Sequence, residues 1–345
     1  MVSDAVLPGG KRMKLLKTLL TSACERNCFY CPFRAGRNYP RATLKPEEMA
    51  KTFIALHRGK AVEGLFLSSG IVAGGMRTQD KMIKTAEILR ERLGYRGYLH
   101  LKIMPGAERE QVLRAMQLAD RVSINLEAPN INRLIRLAPR KDFFEELLQP
   151  LRWVEEIRRT RPAYLGWNGR WPSSTTQFVV GAVGESDLEL LSTTENLYRQ
   201  MGLRRAYFST FSPVQDTPLD NLPTADPKRG FRLYQASFLL RDYGFSVEDM
   251  PFDSAGNLPL QADPKQAWAL VNLSANPVEI NRATRSELLH VPGIGPKSAA
   301  AILNARRSGN LKEIDDLRRI GLNPARAIPY ILIDGRRPPQ QLPLF

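Results

Sequence analysis

The chain has 345 residues, 43% of them hydrophobic and 25% charged, a composition that suits a globular protein of one large domain and a small one. A formal net charge of +15 favours a polyanionic partner, nucleic acid before membrane. No apolar run approaches the ~20 residues of a membrane-spanning helix, and cysteines gathered in one short loop fit a reducing, cytoplasmic setting.

Near the N-terminus, Lys11, Arg12, Lys14 and Lys17 beside Leu15, Leu16, Leu19 and Leu20 imitate a signal peptide. Lys17 interrupts the apolar stretch and a cysteine loop follows at once, so that reading is rejected. From residue 13 to about 245, short apolar strands alternate with longer amphipathic stretches, the pattern of β/α units around a parallel sheet. Strands are expected near 15–21, 64–68, 97–103, 121–127, 175–181 and 205–211. In such folds the chemistry sits on the loops after the strands' C-terminal ends.

The first strand runs into Cys24, Cys28 and Cys31, spaced C-x3-C-x2-C. Soft thiolates this close together select iron–sulfur or zinc. A cubane cluster usually takes four cysteines, one per iron, so three leave one iron open to a reactant. A closed zinc site would need a further ligand, and His57, His100 and His290 are scattered. Three inert buried thiols are the remaining alternative, but random burial would not gather every cysteine into one loop. The absence of spare cysteines also leaves no second cysteine-bound cluster to donate sulfur.

The second strand ends in Ser68, Ser69 and Gly70, where glycine lets the backbone approach a ligand. On the third, Leu99, Leu101 and Ile103 face one way and His100, Lys102 and Met104 the other. His100 and Lys102 are catalytic candidates, with a polar pair satisfied inside the sheet as the alternative. On the fourth, Ser123, Asn125 and Glu127 share a face. After it come Arg133, Arg136, Arg140 and Lys141, which with Arg34, Arg37 and Arg41 are expected to form a rim of phosphate contacts. Arg158, Arg159, Arg161 and Arg170 mix with Tyr164, Trp167 and Trp171, but that stretch precedes a strand and should lie on the opposite face. The fifth strand ends in Val180 and Gly181, the sixth in Phe211 and Pro213.

Residues 251–277 contain several prolines and read as a connecting segment after a domain spanning 1–250. A second domain is expected over 278–335. Thr284 and Glu287 form a capping box, Gly293 and Gly295 permit a tight hairpin, and Pro296 suits the first turn of a following helix. The segment resembles a helix-hairpin-helix, which implies sequence-neutral binding of DNA backbone through Gly293, Ile294, Gly295, Lys297 and Ser298, with Arg306 and Arg307 adding charge. Residues 278–345 hold 11 basic and 6 acidic residues, a net +5. Residues 336–345 read as an extended tail whose Gln341, Leu342, Leu344 and Phe345 resemble the peptide with which bacterial repair and replication proteins dock on the sliding clamp.

The cysteine loop, with Tyr30 just before Cys31, resembles the signature of the radical S-adenosylmethionine (SAM) superfamily. That resemblance implies an α/β fold, a partial (β/α)6 barrel followed by a small all-α helix-hairpin-helix domain. It implies a 4Fe-4S cluster on Cys24, Cys28 and Cys31, with SAM chelating the open iron and an electron donor such as flavodoxin or ferredoxin. Reduction would cleave SAM to methionine and a 5′-deoxyadenosyl radical that takes a hydrogen atom from substrate. The implied SAM contacts are Tyr30, Ser68, Ser69, Gly70, Asn125, Glu127, Val180 and Gly181. The runs Leu15 to Thr21, Gly64 to Gly70, Leu137 to Lys141 and Asp263 to Ala269, together with the hairpin, are similar to radical SAM proteins assigned to DNA modification or repair. The expected function is therefore radical SAM chemistry on DNA. The alternatives are the same chemistry on RNA such as tRNA, or a DNA-binding protein with a structural cluster.

Overall fold

The computed structural model describes residues 1–6, 10 and 12–339. Two compact units emerge: Met1–Glu185 with Asn196–Asp226, and Ser186–Glu195 with Pro227–Phe345.

The first unit is built on a seven-stranded sheet in sequential order: β1 (Val2–Val6), β2 (Arg12–Leu19), β3 (Gly64–Ser68), β4 (Tyr98–Lys102), β5 (Arg121–Ser123), β6 (Ser173–Val180) and β7 (Arg205–Thr210). β2 to β7 are parallel and β1 pairs antiparallel with β2. The helices between strands are α1 (Pro46–Arg58), α2 (Gly75–Glu87), α3 (Arg109–Leu118), α4 (Ile131–Leu137) and α5 (Gln149–Thr160), with α6 (Asp187–Met201) between β6 and β7. A parallel sheet covered by crossover helices buries apolar side chains deeply, and Leu65, Leu67, Leu99 and Leu101 are fully buried. Each such leucine contributes roughly 1.5–3 kcal/mol of transfer free energy. The expected six strands are present within a few residues of their predicted bounds. The curled sheet with its helices is the partial barrel the sequence implied, extended at its edge by β1, which the sequence reading missed.

The second unit contains α7 (Pro227–Phe238), α8 (Pro264–Asn272), α9 (Arg285–His290), α10 (Pro296–Ala305) and α11 (Ile314–Arg319). β8 (Val278–Glu279) pairs in parallel with β9 (Ile331–Leu332), so the unit is helical apart from this short ladder. The capping box forms: the Glu287 amide donates to Thr284 Oγ1 at 3.2 Å and the Thr284 amide to Glu287 Oε2 at 2.7 Å. Pro296 opens α10 behind Gly295. Within the stretch expected as a connector, Asp263 caps α8 through the Gln266 amide at 2.9 Å. Ala269 and Leu273 then join the core of Ile280, Leu288, Ile294 and Ile302. Past Gly321 the chain forms no further α-helix among the described residues, and Pro329 lies in a 3-10 turn over Ile328–Tyr330. Among the described residues, no helix is long and apolar enough to cross a membrane.

Candidate functional site

A cavity of about 420 Å³ opens at the C-terminal ends of the parallel strands in the first unit. All three cysteines line it. The loop that carries them is held from two sides: the Gly70 amide donates to the Thr21 carbonyl at 2.7 Å and the Glu25 amide to the Ile71 carbonyl at 2.8 Å. Gly70 is required here by backbone, since a Cβ at that position would lie 2.1 Å from the Ala23 carbonyl oxygen. The close approach is thus to the cysteine loop.

The Phe33 amide donates to Cys31 Sγ and the Ile71 amide to Cys24 Sγ, each at 3.4 Å. Burial pushes the Cys28 thiol up, and pushes Cys31 up to about 11 against the Phe33 amide. Thiols in that state need a bound cation to become thiolates. Among the described residues, no three His, Cys, Asp or Glu side chains gather as one metal ion requires. A cubane asks for less convergence, because each thiolate binds a different iron. Ser69 and Glu127 line the same cavity, and Ser69 Oγ and Glu127 Oε2 are buried without hydrogen-bond partners. Amide-donated sulfurs and unsatisfied polar atoms on one wall fit a cluster and a polar ligand such as SAM.

Glu127 adopts φ +66°, a conformation costly for a side chain of this kind. The Lys141 ammonium donates to its Oε1 at 2.9 Å, and both side chains are almost fully buried. Burial alone would raise the Glu127 carboxyl; Lys141 and then Lys102 outweigh it and hold it below the ordinary range. The Tyr30 hydroxyl is pushed well up by burial and by the facing Glu127 carboxylate. Asn125 and Lys102 also line the cavity, and Lys102 has no hydrogen-bond partner among the described residues. Burial lowers its ammonium, opposed by Glu127.

His100 does not reach this space. Its ring stacks on Phe66 at 4.2 Å between centroids, Nε2 is buried and unpartnered, and burial holds the imidazole well below its ordinary range. Val180 and Gly181 lie outside the cavity lining, and Glu185 accepts from the Gly181 and Val183 amides. Gln177 and Arg26 line the cavity unanticipated. Gln177 was legible as the inward position alternating with Thr176 and Phe178 on β6. Arg26 pairs with Glu146, 120 residues away, which no local pattern reveals.

The expected phosphate rim is mostly committed to the protein itself. Lys141 is buried on Glu127, Arg133 donates to the Val183 carbonyl at 3.0 Å, and Arg37 to the Gln215 and Pro32 carbonyls. The Arg34 guanidinium sits 5.7 Å over Phe29, with Nε buried. Arg136 is exposed. The basic and aromatic stretch is likewise occupied: Arg158 donates to the Pro172 carbonyl, Trp171 to the Arg161 carbonyl, and Trp167 lies 3.9 Å beneath the Arg90 guanidinium.

In the second unit, the hairpin joins α9 to α10. Gly293 has φ +84° and Ile294 is fully buried beneath it. Lys297 is exposed and Ser298 half-buried at the start of α10. Arg307 is exposed, whereas Arg306 donates to the Ile280 and Ala283 carbonyls at 2.9 and 2.7 Å, so it is a structural tie and not a free cation. Gln341, Leu342, Leu344 and Phe345 lie outside the described residues.

Residues 18–189 match the Radical SAM superfamily and residues 273–326 match a helix-hairpin-helix motif. Among solved structures, the FeFe-hydrogenase maturase HydG from Carboxydothermus hydrogenoformans aligns with a TM-score of 0.52 at 16% identity, over 66% of this chain and 51% of that one. Methylornithine synthase (PylB) aligns with a TM-score of 0.52 at 14% identity, over 66% and 61%. At such identities the likeness is one of fold, and the chain spans less than two thirds of either protein. No curated protein matches it.

Proposed function

The chain belongs to the radical SAM superfamily, whose cofactors are a 4Fe-4S cluster and SAM, and on that premise we propose that it modifies or repairs DNA. The observation that carries this reading is the pairing, in one basic chain, of a thiol-lined cavity with a helix-hairpin-helix. With both cofactors bound, the chemistry supplied is one-electron cleavage of SAM and abstraction of a hydrogen atom.

The protein's own residues then have defined tasks. Cys24, Cys28 and Cys31 hold the cluster, and the Phe33 and Ile71 amides stabilise charge on two of the sulfurs. Tyr30, Ser69, Asn125 and the Glu127–Lys141 pair present polar groups to SAM. Apolar walls from Phe33, Phe66, Ile71 and Met104 exclude water from a reactive centre. Lys297, Ser298 and the amides that open α10 hold a backbone phosphate, as a helix N-terminus does. The tail peptide would dock on a sliding clamp, and a flavodoxin or ferredoxin would deliver the electron.

The test is 5′-deoxyadenosine formation by anaerobically reconstituted protein with SAM and reductant, comparing no nucleic acid, DNA and RNA. Stimulation by DNA alone supports the reading. Stimulation by RNA alone transfers it to an RNA substrate. No cleavage with the cluster intact would point to a structural cluster in a nucleic-acid-binding protein.

A further inference from the structure

The hairpin is clamped by a residue outside the matched helix-hairpin-helix region. Lys265, on the first turn of α8, is buried, and its Nζ donates to the Ile294 carbonyl at 2.6 Å. The same ammonium lies 4.7 Å over the Tyr243 ring. A Cβ built on Gly295 would meet the Tyr243 hydroxyl at 3.2 Å, and one on Gly293 would meet Arg326 Cβ at 3.1 Å. The two hairpin glycines are therefore held between Lys265, Tyr243 and Arg326. A cavity of about 450 Å³ lies against this clamp, lined by the hairpin, Lys265 and Ser298.

We propose that Lys265 is a positioning residue for a DNA backbone phosphate: its bond to the Ile294 carbonyl fixes the hairpin so that the amides opening α10 are already aimed at the anion. The inference rests on the DNA reading above. The physical argument is one of cost. Glycine-rich turns lose more backbone freedom on ordering than any other sequence, and a hairpin ordered only on binding would bind more weakly. An ammonium in a buried place normally destabilises the fold, so its presence needs a return, and the return is charge-assisted rigidity at the hairpin. Asp263 and Arg326, joined as an ion pair, and Tyr243 are the charged and titratable groups that face it. Burial pushes the Lys265 ammonium down to about 7, with Asp263 opposing and Arg326 adding. The clamp is thus strongest below neutral pH and weakens as pH rises.

The experiment measures duplex DNA binding by the full chain, as a function of salt and pH, for wild type, Lys265→Met and Lys297→Ala, with thermal melting of each. Lys265→Met should melt no lower than wild type yet bind DNA about tenfold more weakly, the worth of one charge-assisted hydrogen bond. Its salt slope should be unchanged, because Lys265 does not reach the phosphate, and the deficit should shrink above pH 8. Lys297→Ala should instead lower the slope by about one. Unchanged affinity in Lys265→Met would overturn the inference alone. So would weaker binding accompanied by a lower melting temperature, which marks a residue that merely holds the fold. A slope reduced by about one would make Lys265 a direct contact and also overturn it. Failure of wild type to bind DNA would overturn the DNA reading and this inference together.

Discussion

Gly70→Ala adds one methyl group where the end of β3 crosses the cysteine loop. The new Cβ would lie 2.1 Å from the Ala23 carbonyl oxygen, 2.9 Å from its carbon and 3.2 Å from Cys24 Cβ. An ordinary carbon–oxygen contact is about 3.3 Å, so the two backbones must separate by about 1.2 Å. Neither is free to do so cheaply, because the Gly70–Thr21 and Glu25–Ile71 hydrogen bonds tie them on both sides. The displacement therefore falls on Cys24, whose sulfur is already fixed by the Ile71 amide. Overpacking of this kind costs roughly 1–3 kcal/mol, a fall in melting temperature of roughly 2–4 °C per kcal/mol for a unit of this size. The larger consequence is for the cluster, since a cysteine moved by an ångström no longer meets its iron. Iron and sulfide content after anaerobic reconstitution, with thermal melting of the apoprotein, reads both effects. Ser69→Ala is the control, because it removes an unpartnered hydroxyl and adds nothing. A Gly70→Ala protein with wild-type iron content and melting temperature would refute the reasoning.

The other predictions test separate ties. Lys141→Met should destabilise the apoprotein by roughly 3–5 kcal/mol, because it takes the hydrogen-bonded ion-pair partner from the buried Glu127 carboxylate, and Glu127→Gln in the same chain should recover part of it by melting. Glu127 is held below its ordinary range, so the pair's stabilisation is full above the unfolded carboxylate pKa and fades as pH falls through the folded one. Wild type and Lys141→Met should converge in melting temperature on acidification. Cys28→Ala should abolish SAM cleavage in a 5′-deoxyadenosine assay while leaving DNA affinity intact. Arg306→Met should lower stability without changing the salt slope of DNA binding, whereas Arg307→Ala should reduce that slope by about one and leave melting unaltered. Lys265 is held below its unfolded value, so the unfolded chain binds more protons and stability should rise with pH from about 7 into the ordinary lysine range, by up to about 1.4 kcal/mol per pH unit. That slope should be missing in Lys265→Met.

What the sequence made legible was what is local and periodic. The cysteine spacing, the six parallel strands and the Thr284–Glu287 cap each rest on residues a few positions apart, and each is present. What it hid was set by pairs distant in sequence. Lys141 reads as a rim cation among arginines, yet the chain after α4 turns back and buries it on Glu127. Arg306 reads as a free charge near a helix end, yet two carbonyls across the unit consume it. Gly70 reads as a place of close approach to a ligand, and it does line the cavity, but the approach that its missing Cβ permits to the Ala23 carbonyl is set by a contact 47 positions back in the chain. α8 is legible in local signals inside the expected connector: Asp263 followed by Pro264 is a helix start, with Ala269 and Leu273 one turn apart on its buried face.

The charge of +15 deserves less weight than its size suggests. Arg37, Arg41, Arg90, Arg133, Arg158 and Arg306 all spend donors on backbone carbonyls, and Arg26, Arg90 and Lys141 sit in partly or fully buried ion pairs. Such groups still contribute to the long-range field that raises encounter rates with a polyanion. Donors already given to carbonyls and carboxylates are less available to a phosphate, and it is phosphate contacts that set affinity and its salt dependence. In the second unit, exposed cations include Lys297 at the start of α10, beside the hairpin that Lys265 holds, and Arg307 just past that helix's far end. Phosphate contacts carry no sequence information, so on the DNA reading discrimination of a target falls to the cavity, where Lys102 and Glu127 stand with the three thiols.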